Sequence, residues 1–79
     1  MAKTLFSIDF YLEDIPSDEI FNTVVKKYEK EYSPDWEREI LGLTVMADNE
    51  AAAKQTADNV KTYLLSLGLK INDILVYAS

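Results

Sequence analysis

The nine residues from Thr4 to Leu12, Thr-Leu-Phe-Ser-Ile-Asp-Phe-Tyr-Leu, alternate along their whole length. Phe6, Ile8, Phe10 and Leu12 fall on one side of an extended chain, with Ser7, Asp9 and Tyr11 on the other. A period of two in β-branched and aromatic residues predicts a strand buried on one face and wetted on the other. A fold built on it has to bring apolar cover to one side of a sheet only.

The cover comes from two amphipathic stretches. Ile20, Phe21, Val24, Val25, Tyr28 and Tyr32 recur at steps of three and four, which predicts a helix. Pro16 disfavours helix at Ile15, Ser17 is its N-cap candidate, and Asp18 and Glu19 sit where the helix dipole favours negative charge. Lys26, Lys27 and Lys30 gather toward its end, and Pro34 is expected to stop it. A second helix is expected from about Asn49 to Leu67, with Asp48 as N-cap and Glu50 in the first turn. Ala53, Ala57, Val60, Leu64 and Leu67 make its stripe, and Gly68 supplies a left-handed terminus onto which Leu69 folds back.

Two further strands are expected. In Ile40 to Ala47, Leu41, Leu43, Val45 and Ala47 share one face, and Gly42 marks a bulge or a close backbone approach. The last strand spans roughly Asp73 to Ala78, with Ile74, Val76 and Ala78 toward the helices and a bend or bulge at Asn72-Asp73. Parallel sheets are covered on both faces, whereas Ser7 and Asp9 call for water. The order is therefore read as an α+β two-layer sandwich, both helices on one sheet face. Ser33 to Arg38, at roughly 3.3 Å per residue, is long enough to cross a small sheet as a poor edge strand. With that strand the chain resembles the βαββαβ arrangement of ferredoxin-like domains, a resemblance of architecture with no motif residues behind it. If Ser33 to Arg38 is a loop, the alternative is a three-stranded parallel βαβαβ sheet. Residues 1 to 79 form one domain in either case, a length near the lower end for a core without staples.

The chemistry the chain carries is sparse. It has no cysteine and no histidine, so it lacks thiolate and imidazole metal ligands and the side chain best suited to proton transfer near neutral pH. Ser7, Ser17, Ser33, Ser66 and Ser79 have no histidine to activate them, and Gly42 and Gly68 are too isolated to form a phosphate loop. Fourteen acids against eight bases give a net charge of −6, which repels nucleic-acid backbones. No apolar run approaches the roughly 20 residues of a membrane span. Met1-Ala2-Lys3 runs straight into the first strand with no room for a signal peptide, so a cytoplasmic location is expected.

Two groups of residues are candidates for contact. Asp9, Tyr11, Met46, Leu75 and Tyr77 fall on the wetter sheet face. Tyr and Met are enriched at protein interfaces, and the bases an RNA-binding face needs are missing. Glu13, Asp14, Asp18, Glu19, Asp48 and Glu50 gather around strand-to-helix junctions as an acidic rim; capping and dipole compensation already account for each of them, and their spacing is not specific enough to favour a Mg²⁺ site. The expectation is a non-enzymatic interaction domain without cofactor or metal. It would act as an inhibitor or phage-type host-modulating protein, covering a basic surface on a larger protein partner. The alternatives are a homo-oligomeric accessory subunit, as small as a homodimer, and a metal-binding or enzymatic domain using the junction carboxylates.

Overall fold

β1 (Thr4–Leu12) lies inside a four-stranded sheet in the computed structural model, which describes residues 3–78. Met1, Ala2 and Ser79 lie outside the described residues, and with them the expectation drawn from the chain start. After β1 come α1 (Asp18–Tyr28), β2 (Asp35–Glu37), β3 (Ile40–Ala47), α2 (Glu50–Ser66) and β4 (Ile71–Ala78). The strand order is β2-β3-β1-β4, and every neighbouring pair is antiparallel. This overturns the three-stranded parallel alternative. Asp35–Glu37 is a strand, and a two-residue turn with Arg38 in the left-handed region (φ 57°) sends the chain back along it as β3.

The burial of β1 follows its alternation. Phe6, Ile8, Phe10 and Leu12 are buried, as are Leu41, Leu43, Val45 and Ala47 on β3. They share one core with Val24 and Tyr28 of α1 and Ala53, Ala57, Val60 and Leu64 of α2. Both helices thus cover the same side of the sheet. The alanine half of α2 permits a close approach to it, while Leu64 fills space farther along.

Capping accounts for most helix boundaries. The Ser17 hydroxyl accepts from the Ile20 N–H at 3.3 Å, opening α1. α2 is capped by Asn49, whose side chain accepts from the Ala52 N–H at 2.8 Å, and not by Asp48 as expected. The difference is one of reach, since a cap oxygen has to meet the free amide two or three residues on. At the other end, Gly68 (φ 86°) donates to Leu65 O and Leu69 donates to Leu64 O, the paired bonds of a Schellman terminus.

α1 ends at Tyr28, well before Pro34. The Tyr32 N–H still bonds Tyr28 O, but Ser33 is left-handed (φ 47°) and the Tyr32 carbonyl accepts from the Thr44 N–H at 2.8 Å. A bond to the sheet, reached through a sharp reversal, ends the helix before the proline does. Trp36 pairs in register with Leu41, and its ring sits 4.6 Å from that of Phe21.

β4 begins at Ile71, earlier than expected, and its imperfect alternation has a simple cause. Leu12 pairs with Ile71 and Tyr11 with Asp73, leaving Asn72 as the extra residue of a bulge. Without it, Ile71 and Ile74 would fall on opposite faces; with it, both pack against the core.

Phe10 is fully buried, so Phe10→Ala is expected to cost about 3–5 kcal/mol in urea unfolding, and a loss under about 1 kcal/mol would contradict this core. Tyr28 packs edge-on against Tyr63 at 5.7 Å, and burial, chiefly, pushes its phenol up to about 12. The unfolded chain ionises first as pH rises, so this contribution is complete below pH 10 and is lost between there and about 12. Urea midpoints should fall less steeply with pH across that window in Tyr28→Phe than in the parent chain.

Candidate functional site

The side of the sheet away from the helices is built in rows by the strand register. Asp35, Gly42, Asp9 and Leu75 form one row across all four strands, and Glu37, Ile40, Tyr11 and Asp73 form the next. On the other side of Asp9 lie Thr44, Ser7 and Tyr77, and beyond them Met46 and Leu5. None of these face residues is Lys or Arg.

Gly42 lies at the centre. A Cβ there would lie 3.4 Å from Asp9 Oδ1 and 3.6 Å from the Asp35 carbonyl, which are ordinary contact distances, so the Asp9 carboxylate rests beside β3 without depending on the missing side chain. It marks neither a bulge nor a tight backbone approach: the β1–β3 register runs unbroken past it, and the nearest backbone atom stands at an ordinary contact distance. The face here forms a shallow concavity of about 290 Å³ with Gly42 at its floor, walled by Asp9, Asp35, Glu37, Ile40, Tyr11 and Tyr77.

One hydrogen bond organises the wall. The Tyr77 phenol donates to Asp9 Oδ2 at 2.8 Å and crosses from β4 to β1. That bond, and then the charge of Asp9, raises the Tyr77 phenol above its ordinary value of 10, against an opposing hydrogen bond from Ser7. Asp9 is held by one oxygen, with the other close over Gly42.

The expected contact residues divide along this geometry. Asp9, Tyr11 and Tyr77 line the concavity, and Leu75 stands beside Asp9 in the same row. Met46 lies on the same face, two rows beyond Asp9 and in register with Leu5. Both are exposed, as are Leu75 and Tyr77. The junction acids lie elsewhere. Glu13, Asp14, Asp18 and Glu19 follow the end of β1, where the Glu13 N–H bonds Lys70 O. Asp48 and Glu50 follow β3, which runs the other way, and Glu50 pairs with Lys54 at 3.4 Å. Among the described residues no group of three or more acidic side chains is close enough to hold a metal ion.

Asp35, Glu37 and Leu5 were not among the expected contact residues. Leu5 shares the parity of Ser7 and Asp9 and was legible from it. Asp35 and Glu37 were not, because three residues between a proline and a charged turn carry too little alternation to show which side faces water. Among the described residues no helix is long and apolar enough to cross a membrane.

A carboxylate set with phenol and apolar neighbours can accept hydrogen bonds from a guanidinium or ammonium group and lay an aromatic face against it. The Asp9–Tyr77 bond is directly testable. The difference titration between the parent chain and Tyr77→Phe should have its midpoint above 10, and Asp9→Asn should bring it down. The stabilisation linked to Tyr77 is complete below its unfolded value of 10 and is lost as pH rises through the raised one. No family model, no curated protein and no solved structure matches the chain. What the face is for is therefore read from its chemistry.

Proposed function

We propose that this chain is a non-enzymatic interaction domain of ferredoxin-like topology, acting in the cytoplasm, whose open sheet face covers a basic surface on a larger protein. The strand order β2-β3-β1-β4 with β-α-β-β-α-β connectivity supports the topology. The observation that carries the function is the face itself, where Asp9, Asp35 and Glu37 surround a glycine floor. Exposed Leu5, Met46, Leu75 and Tyr77 lie on the same side.

The two halves of that surface do different work. Carboxylates on a chain of net charge −6 attract a Lys/Arg-bearing surface and orient it during encounter. Tyr77, Leu75 and Met46 supply apolar area that loses water on contact, where anchoring energy concentrates. Covering a functional surface in this way inhibits the partner or redirects it, the use made of small host-modulating proteins of the phage type.

Binding is tested by titrating the isotope-labelled chain with an arginine-rich peptide at low salt and following amide shifts. The largest shifts should fall on Asp9, Tyr11, Asp35 and Gly42. Asp35→Asn combined with Glu37→Gln should weaken binding roughly 2- to 10-fold, since each exposed ion pair contributes at most about 1 kcal/mol. Largest shifts on Asp14, Asp18 and Glu19 would move the site to the helix entrance and defeat the reading.

A further inference from the structure

The two edges of the sheet are finished differently. β2 is short and carries Asp35 and Glu37, and just past it the Tyr32 carbonyl takes the Thr44 N–H. Brevity, charge and a capping carbonyl all discourage another strand from pairing there. β4 has eight residues, and from Ile74 to Ala78 it carries no charge.

The ladder shows which backbone groups of β4 face outward. The Leu12 N–H donates to Glu39 O, toward β3, and the Glu13 N–H donates to Lys70 O, toward β4. Because successive residues of a strand point their backbone groups to opposite sides, odd residues of β1 bond β4. Their partners are Tyr77, Leu75 and Asp73. Ile74, Val76 and Ala78 therefore turn their N–H and C=O groups away from the sheet. The Ile74 N–H agrees: it is taken by the Asp73 carboxylate at 2.9 Å. The bulge at Asn72 and that cap close the first part of the edge. Val76 lies beyond both.

We propose that this open part of β4 pairs with a second copy of the chain, antiparallel about a two-fold axis at Val76. Val76 then exchanges both backbone hydrogen bonds with Val76 of the second copy. On the open face Leu75 meets Tyr77 twice, covering side chains now 42% and 46% exposed. On the helix side Ile74 meets Ala78. The flanking charges favour a second copy over a foreign strand. Lys61 lies beside Ile71 to Ile74, and Lys54 and Asp58 beside Ile74 and Val76, so α2 runs against the direction of β4. The two-fold axis turns Asp58 of each copy toward Lys54 of the other, so the strip is self-complementary despite the net charge. Pairing consumes the β4 edge and covers Leu75 and Tyr77, which the basic-partner reading also uses, while Asp9, Asp35 and Glu37 stay open. The two readings are tested apart, this one at the Val76 amide and that one at Asp9, Asp35 and Gly42.

Light scattering and amide hydrogen exchange on the whole chain test it together. Mass should rise from monomer to dimer between about 10 μM and about 1 mM, and Val76 amide exchange should slow at least about tenfold over the same range. Val76→Pro, which removes an outward donor, should keep the amide spectrum of the fold and weaken dimerisation at least about tenfold. The exchange measurement needs no variant, so it decides the matter even if the proline variant does not fold. A strict monomer with a fast-exchanging Val76 amide overturns the proposal. So does a dimer that leaves that amide unprotected, or protection that is independent of concentration. A monomer whose Val76 amide is protected only by an added extended peptide of unrelated sequence would assign the edge to a foreign strand and overturn the second copy as its occupant.

Discussion

β1 makes hydrogen bonds on both edges and buries only one face, and the rest of the molecule is arranged to satisfy those two demands at once. Its neighbours β3 and β4 both run antiparallel to it and use its even and odd backbone groups in turn. Its Phe6, Ile8, Phe10 and Leu12 row then needs apolar cover from one direction. Two helices meet that need only if each connection returns the chain to the same side of the sheet. β2 makes this possible: it reverses the chain between α1 and β3, so that β3 can lie antiparallel against β1.

Single-sided burial also explains where irregularity is tolerated. The bulge at Asn72 costs one regular pairing and places both Ile71 and Ile74 in the core. Ser33 and Arg38, the non-glycine residues with positive φ among those described, bracket β2, where the chain has to reverse twice in a few residues. Left-handed backbone at a residue with a side chain costs energy. Here the cost is met by the Tyr32–Thr44 bond and the Phe21–Trp36 ring contact, which tie this corner to the sheet and to α1.

The uncovered face is where the chain keeps its polar inventory in one place. Asp9 stands in the middle of a sheet and would be costly there if a second layer roofed it, because a buried carboxylate needs partners for both oxygens. Left open, it is steadied by the hydrogen bond from Tyr77. The same openness that makes Asp9 affordable leaves exposed apolar residues around it. It is this mixed surface that the proposed function assigns to a basic partner.

Much of this was legible in the amino-acid order, and for a definite reason. Alternation in β1 and β3, the three-four spacing of both helices, the Ser17 cap and the Gly68 terminus are local signals, each set by residues within a few positions of one another. The face assignment of Asp9, Tyr11, Leu75 and Tyr77 followed from parity alone. What depends on distant residues was not legible. α1 stops at Tyr28 because the Tyr32 carbonyl belongs to a bond with Thr44. Asp35 and Glu37 join Asp9 because register with β3 turns them outward. The junction acids separate into two groups because β1 and β3 run in opposite directions. Sequence periodicity determined which side of each element is apolar. Only the tertiary structure decided strand order and direction, and so which polar residues share a site, because those depend on hydrogen bonds between segments that local propensity does not couple.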